Sequence, residues 1–318
     1  MAGDRTGVLL LNLGGPDTLE AVRPFLLNLF SDRDIIRLGP SFLQNPIAWL
    51  IATLRTKKTR AAYTLIGGGS PILRITQEQA QALQSVLSSH GDFKVFIGMR
   101  YWNPFIEDTV REMYDEGIRD CIVLSQYPHY SLATTGSALK ELDRCLETYP
   151  IRCTYIREWY NDPHYVDAVY KTVVEVIDNK DKKADILYSA HGLPVSFIEN
   201  GDPYVDHITE TIRLINEKLT QNGFSFNSHL AYQSRSGPVE WLSPSTDEKI
   251  VELGREGVKD LIVVPISFVS DHIETLYEID ILYRELASEN GIILRRVESL
   301  NTRPTFIDAL KDVVLQYA

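Results

Sequence analysis

Glu116-Gly117-Ile118-Arg119-Asp120-Cys121-Ile122-Val123-Leu124 returns 140 residues later as Glu256-Gly257-Val258-Lys259-Asp260-Leu261-Ile262-Val263-Val264. Five of the nine positions are identical, and the other four pairs are conservative or apolar. At an offset of 141, Pro163, Asp167 and Ala168 return as Pro304, Asp308 and Ala309, each set opening an amphipathic stretch with proline in its first turn. Two copies of one α/β unit are therefore expected.

Outward from the repeat, Val8–Leu13, Cys121–Leu124, Ile186–Tyr188 and Leu261–Val264 are short apolar runs rich in β-branched residues, and Lys94–Ile97 is a weaker fifth. Between them Gln77–Leu87, Pro104–Tyr114, Tyr165–Ile177, Val205–Leu219 and Asp247–Leu253 carry helical spacing. Alternating strand and helix predicts parallel sheets covered by helices. The expected division is a first domain over residues 1–158, with a lip at about 40–63 and completed by a C-terminal helix over 304–318, and a second over 159–303. Ligands of such sheets bind beyond the carboxyl ends of the strands, so two facing units should line a cleft with strand-end loops.

A chain of 318 residues that is 44% hydrophobic is not disordered, and 43 acids against 32 bases, a formal charge of −11, argue against nucleic acid as a partner. The three cysteines, Cys121, Cys145 and Cys153, form no Cys-x-x-Cys pair, so neither a disulfide framework nor a zinc or iron–sulfur motif is expected. Gly14-Gly15-Pro16 interrupts the first apolar run before it reaches the length of a signal-peptide core, and no run is long enough to span a bilayer. A cytoplasmic location is expected.

Three stretches bear chemistry. Ser189-Ala190-His191-Gly192-Leu193-Pro194 sets an imidazole at the end of a buried strand, where it serves as proton acceptor, metal ligand or merely as a turn cap. After Leu261–Val264 come Asp271, Glu274 and Glu278; Asp271 with Glu274 has the spacing of a capping box, while Glu274 and Glu278 share one helical face, which calls for a cation or a proton between them. Gly67-Gly68-Gly69-Ser70 and Gly14-Gly15 lack nucleotide-binding spacing and read as tight turns where backbone approaches a ligand. In Pro40–Tyr63, apolar residues including Trp49, Leu50 and Leu54 precede Arg55, Lys57, Lys58 and Arg60. That pattern fits an ordinary amphipathic helix, a helix on an anionic membrane surface, or a lip for a large apolar ligand with carboxylate tails.

Ser125-Gln126-Tyr127-Pro128-His129-Tyr130-Ser131, Ser189–Pro194 and Asp271-His272-Ile273-Glu274-Thr275-Leu276-Tyr277-Glu278 resemble the signatures of the ferrochelatases. Leu11–Pro16, Ile66–Pro71, Met99–Tyr101, Gly201–Tyr204 and Trp241-Leu242 add matches in the same order, from Leu9 to the C-terminus. The resemblance implies two similar Rossmann-like, chelatase-type α/β domains facing across a porphyrin cleft, and an enzyme that inserts ferrous iron into protoporphyrin IX with release of two protons. It implies catalytic roles for His191, Glu274 and Glu278, the first two also handling the metal. Leu13, Arg55, Lys58, Tyr63, Ser70, Arg100, Tyr101, Trp241 and Phe268 would line the porphyrin pocket, with Leu13, Tyr101 and Trp241 pressing on the ring.

Where many members carry a third acid, this chain has Leu282, with Glu285 as a substitute one turn away. It ends at Ala318 without a cysteine-bearing tail, so no iron–sulfur cluster and no cofactor beyond the iron substrate is expected. Porphyrin and ferrous iron are the implied partners, with a peripheral contact to the inner face of the membrane or to the preceding haem-pathway enzyme. A coproporphyrin III ferrochelatase and a cobalt or nickel tetrapyrrole chelatase are the nearest alternatives, and a non-catalytic porphyrin binder is the alternative from another class.

Overall fold

The computed structural model describes residues 5–36, 38–177 and 183–318. Residues 1–4, which enter the reading of the N-terminus, lie outside the described residues. The chain divides into two compact units, 1–158 with 310–318 and 159–309.

Unit 1 runs β1 (Thr6–Asn12), α1 (Val22–Ser31), α2 (Gln44–Leu65), α3 (Ile72–Leu87), β2 (Phe93–Met99), α4 (Ile106–Asp115), β3 (Asp120–Ser125), a π-type turn Leu132–Gly136, α5 (Ser137–Leu146) and β4 (Arg152–Ile156). Unit 2 runs α6 (Pro163–Val176), β5 (Ala184–His191), α7 (Val195–Glu199), α8 (Tyr204–Gln221), β6 (Phe226–Gln233), α9 (Thr246–Arg255), β7 (Asp260–Pro265), a π-helix Glu274–Tyr283, α10 (Arg284–Glu289) and β8 (Ile293–Arg296). The last helix, α11 (Pro304–Leu315), begins in unit 2 and ends in unit 1.

Each unit holds one four-stranded parallel sheet, with order β2-β1-β3-β4 in the first and β6-β5-β7-β8 in the second. The repeated stretch occupies the same place in both, running from a helix end through a turn into the third strand of the order. Gly117 at φ +86° and Gly257 at φ +90° close α4 and α9 with matching backbone bonds, Ile118 N–H to Met113 O and Val258 N–H to Leu253 O, both 3.0 Å. The repeated aspartates have a common use. Asp120 receives Arg152 through two 2.7 Å bonds, and Asp260 receives Arg295 at 3.0 and 2.7 Å, each arginine coming from the adjacent edge strand.

Position in the sheet explains which strands the sequence announces. The inner strands β1, β3, β5 and β7 are buried on both faces and read as continuous apolar runs. The edge strands β4, β6 and β8 carry exposed or half-buried residues such as Arg152, Ser228 and Ile293, and none of them was expected. One core gathers Leu9, Leu11, Val110, Met113, Val123 and Leu142 in unit 1, another Leu187, Ile250, Leu253, Val263 and Ile279 in unit 2. Each such side chain contributes about 1.5–3 kcal/mol by leaving water.

The glycine-rich turns form as expected of tight turns. They meet each other: Ser70 N–H donates to Pro16 O at 2.7 Å, a Cβ at Gly15 would lie 2.7 Å from Ser70 Oγ, and one at Gly69 would lie 2.1 Å from Asp17 O. Glycine is needed at Gly15 and Gly69 for loop-against-loop packing, whereas Gly67 and Gly68, at φ +105° and +95°, have nothing within 4 Å of where a Cβ would stand.

Candidate active site

His191 is the last residue of β5, and its backbone is held from three sides. Its N–H donates to Ser267 Oγ at 2.9 Å, its carbonyl accepts from the Tyr204 hydroxyl at 3.1 Å, and the next N–H, of Gly192, donates to Gln233 O at 2.8 Å. The imidazole Nδ1 lies 2.8 Å from Glu274 Oε2. With Nδ1 so engaged, Nε2 is the nitrogen left to face a substrate, and the side chain keeps 36% exposure.

Glu274 and Glu278 come from the π-helix, whose i→i+5 bonding keeps both on one face. Ser234, just beyond β6, sits between them, its Oγ 2.8 Å from Glu274 Oε2 and 2.6 Å from Glu278 Oε2. A hydroxyl has one proton to donate, so both contacts are satisfied when the two carboxyls hold one proton between them. Ser234 adopts φ +68°, the left-handed region that a non-glycine residue enters at a cost of about 1–3 kcal/mol, and the turn aims its hydroxyl at the acids. Gln233 Nε2 adds a bond to Glu274 O at 3.2 Å and a 3.4 Å contact to Glu278 Oε2.

This arrangement splits the two acids. Burial alone would raise Glu274, but the His191 charge and hydrogen bond overcome it and bring the carboxyl down to about 2. Glu278 is pushed up to about 7, by burial first and then by the Glu274 charge. Burial lowers His191, yet Glu274 more than compensates and its value is raised. His272, burial first, is lowered; its Nδ1 donates to Ser270 O at 3.0 Å, and its ring meets Phe268 edge-on at 4.2 Å between centroids. One permanent anion, one acid that titrates near neutrality and one imidazole thus stand in a row: His191, Glu274, Ser234, Glu278.

The capping box suggested by Asp271 and Glu274 does not form. The π-helix has Ile273 at its N-terminus without a side-chain cap, because Glu274 turns to His191 and the Asp271 carboxylate takes Arg296, Thr275, Ser299 and Asn301. Leu282 is 41% exposed, and Glu285 is exposed on α10. Phe268 lies 6.2 Å from the His191 ring, centroid to centroid. Trp241 is half-buried, its indole N–H has no hydrogen-bond partner among the described residues, and Cε3 lies 3.4 Å from where a Gly192 Cβ would stand. Five of the expected residues, His191, Glu274, Glu278, Trp241 and Phe268, are thus in unit 2.

The other seven are in unit 1. Leu13 and Arg100 share a recess with Asn12, Ser125 and Tyr127 at the carboxyl ends of β1 and β3. Asp32, at the end of α1, organises this region: its Oδ2 accepts from Arg100 Nη2 at 2.7 Å, from the Tyr101 hydroxyl at 2.6 Å and from Ser137 Oγ at 2.9 Å. Burial opposes ionisation of Asp32, but these donors, with the Asp34 N–H, hold it below the ordinary value. Burial and the neighbouring Asp32 push the Tyr101 hydroxyl up. Tyr101 is 1% exposed and its hydroxyl is taken, so its side chain braces Arg100 and Asp32 instead of presenting a face to solvent. Tyr63 at 3% and Ser70 at 9% exposure are also interior, whereas Arg55 and Lys58 stand exposed on α2.

Ser234, Gln233 and Asp32 carry no motif that marks them in the sequence. Ser234 and Gln233 follow an edge strand that was not recognised, and Asp32 looks like an ordinary polar residue after a helix.

A family model for ferrochelatase matches residues 5–318. The chain belongs to the ferrochelatase family. It is 50% identical over 322 residues to the ferrochelatase of Parasynechococcus marenigrum (strain WH8102), covering 98% of this chain and 82% of that one. It is 48% identical to that of Desulfotalea psychrophila, covering 98% and 97% of the two chains. Among solved structures, SirB from Bacillus subtilis with Fe3+ superposes with a TM-score of 0.60 over 99% of this chain and 96% of the other, at 16% identity, a likeness of fold. As a ferrochelatase the protein is a lyase that inserts metal into a porphyrin.

Proposed function

We propose that this ferrochelatase takes protoporphyrin IX and ferrous iron and yields protohaem and two protons, the terminal step of haem biosynthesis. The observation that carries the chemistry is the row from His191 Nδ1 through Glu274 and Ser234 to Glu278, with a carboxyl at its inner end that titrates at about 7. Neutral His191 takes a pyrrole proton at Nε2, and the fixed charge of Glu274 stabilises the imidazolium, as the buried acid does in a His–Asp pair. Glu274, near 2, is too weak a base to go first. The second proton passes to ionised Glu278, and both leave to water when product departs. Iron is a substrate here: while His191 is neutral, its Nε2 and a Glu274 oxygen form a donor set that holds the ion less firmly than thiolates would, which suits a metal that must be handed on before Nε2 takes the pyrrole proton.

Ser125–Ser131 and Met99–Tyr101, which look closer to the protoporphyrin type than to the coproporphyrin type, support the choice of substrate. Arg55 and Lys58 are exposed for carboxylate tails, while the Arg100 charge is already met by Asp32. Anaerobic insertion followed by loss of free-base fluorescence tests this, with at least about tenfold higher kcat/KM expected for protoporphyrin IX than for coproporphyrin III; the reverse order overturns the assignment.

No resident cofactor enters this reading. A [2Fe–2S] cluster takes four ligands, and the three cysteines, Cys121, Cys145 and Cys153, belong to or pack against one apolar core. An iron–sulfur absorption band in the purified protein would contradict it. On α2, Trp49, Leu50 and Leu54 are 51–72% exposed beside Arg55, Lys57 and Lys58, and no helix among the described residues is long and apolar enough to cross a membrane. These side chains support a peripheral contact with an anionic membrane surface, at its inner face. Flotation with anionic liposomes that is lost in Trp49→Glu is expected; flotation equal in both refutes it.

A further inference from the structure

The catalytic carboxylates of unit 2 ride on a ten-residue π-helix, a form whose hydrogen bonding does not sustain such length unaided. Something outside the helix must hold it. Its N-terminus has no side-chain cap, and its only fully buried residues are Thr275, which is polar, and Ile279, with Tyr283 partly buried against the same core.

Arg296, the last residue of β8, supplies the hold. Its side chain is 8% exposed. Nη1 donates to Asp271 Oδ1 at 3.0 Å, three residues ahead of Glu274. Nε and Nη2 donate to Asp280 Oδ2 at 3.0 and 2.8 Å, two residues beyond Glu278. One guanidinium fixed to the sheet therefore pins the helix on both sides of its two acids. The Asp271 end is further tied by the Thr275 hydroxyl at 3.0 Å, Ser299 at 2.9 Å and Asn301 Nδ2 at 2.9 Å. A desolvated guanidinium is costly unless fully partnered, and a planar fork suits two carboxylates better than an ammonium does.

Comparison with the other copy separates this arginine from those that merely serve the scaffold. Arg152 and Arg295 perform the same task, binding the repeated aspartates Asp120 and Asp260. The next residue along each strand differs: Cys153 in unit 1, where no acids follow on the π-type turn, and Arg296 in unit 2. The bonds of Arg296 go to Asp271 and Asp280 and not to Glu274 or Glu278, so any effect on chemistry acts through the helix.

We propose that Arg296 is a positioning residue for metal insertion: by bridging Asp271 and Asp280 it holds the π-helix in the register that sets Glu274 against His191 and Glu278 against Ser234. The proposal rests on the reading of the Glu274–Glu278 pair given above. It is tested by steady-state insertion with protoporphyrin IX and ferrous iron in Arg296→Met, Arg296→Lys, Asp280→Asn, Glu278→Gln and the double variant Arg296→Met/Glu278→Gln. Arg296→Met should lower kcat about 10–100-fold with porphyrin KM within about threefold, as loss of a supporting contact does. Arg296→Lys should recover part of that loss. In the Glu278→Gln background the further loss should shrink to under about threefold, because the two residues act through one element.

Equal losses from Arg296→Met in both backgrounds, or a loss carried by KM alone, overturn the proposal. If Arg296→Met does not fold, Asp280→Asn, which keeps shape at a partly exposed position, carries the same prediction with a loss of about five- to tenfold, and an unchanged kcat there is equally fatal. Glu278→Gln alone tests the underlying reading: an unchanged kcat removes that, whereas a loss there with none in Arg296→Met and Asp280→Asn removes only the role of Arg296.

Discussion

After β3 and after β7 the chain makes the same excursion, through a π-type segment into a helix and on to an outer strand, and the residues placed there differ in kind. In unit 1 the segment is Leu132–Gly136, uncharged, begun by Ser131, whose hydroxyl accepts from Ala133 N–H. In unit 2 it is twice as long, uncapped, and carries Glu274 and Glu278. The buried acids follow suit. Asp32 in unit 1 meets a guanidinium and two hydroxyls and is held ionised, whereas Glu278 in unit 2 meets a hydroxyl, an amide and another acid and is pushed to about 7. One scaffold thus yields a fixed charge that orders Arg100 and, in the other copy, an acid that titrates near neutrality. The difference lies in what cation, if any, is brought to the acid.

The strongest way to break this division is to exchange the expected phenotypes. His191→Ala should reduce insertion by at least about a thousandfold while porphyrin affinity stays within about tenfold, read by kcat and by fluorescence titration without metal. Asp32→Asn should do the opposite on a smaller scale: porphyrin KM raised about tenfold, kcat within about threefold, since the half-buried Arg100 loses its counter-charge and the shared acceptor of Arg100 and Tyr101 becomes a neutral amide. A kcat loss for Asp32→Asn as large as for His191→Ala would dissolve the distinction between the copies.

Stability should separate the acids with opposite sign. The folded value of Glu278 lies above its ordinary 4.5, so the folded protein binds more protons than the unfolded chain between about pH 4.5 and 7, and stability falls as pH rises through that window. Glu278→Gln removes this dependence and should gain about 1–3 kcal/mol on the wild type between pH 5 and 8. Asp32 is shifted downward, so its contribution is present above its unfolded value and is lost as pH falls below it. Urea melts at several pH values check both slopes; the smaller effect is that of Asp32.

Much of the molecule was legible because the repeat and the inner strands obey simple rules. β1, β3, β5 and β7, buried on both faces, and the helices α3, α4, α6, α8 and α9 show their periods in the sequence. What escaped has physical causes. Edge strands such as β6, Phe226–Gln233, carry exposed or half-buried polar residues over much of their length, here Asn227, Ser228 and His229, so no apolar run marks the strand that places Gln233 and Ser234 at its end. A π-helix has no distinct apolar period, and Glu274–Tyr283 reads as α-helical. Long-range electrostatics escaped altogether: Arg296 reaches Asp271 and Asp280 across 25 and 16 residues, and Arg100 meets Asp32 across 68. His191, Glu274 and Glu278 were visible as chemistry-bearing residues, but their division into fixed anion and titrating acid needed the distances to Ser234 and to one another.

The central claim is that Glu278 is the group whose ionisation near neutrality permits insertion. It is tested most directly by kcat at saturating porphyrin and ferrous iron from about pH 5.5 to about pH 9, for wild type and Glu278→Gln. A base must be ionised to act, so wild-type kcat should rise with pH through an apparent value of about 7, and Glu278→Gln should be slower, the contribution at about 7 lost and only the rise that comes with neutral His191 remaining. A limb of the same height and midpoint in Glu278→Gln would contradict the account.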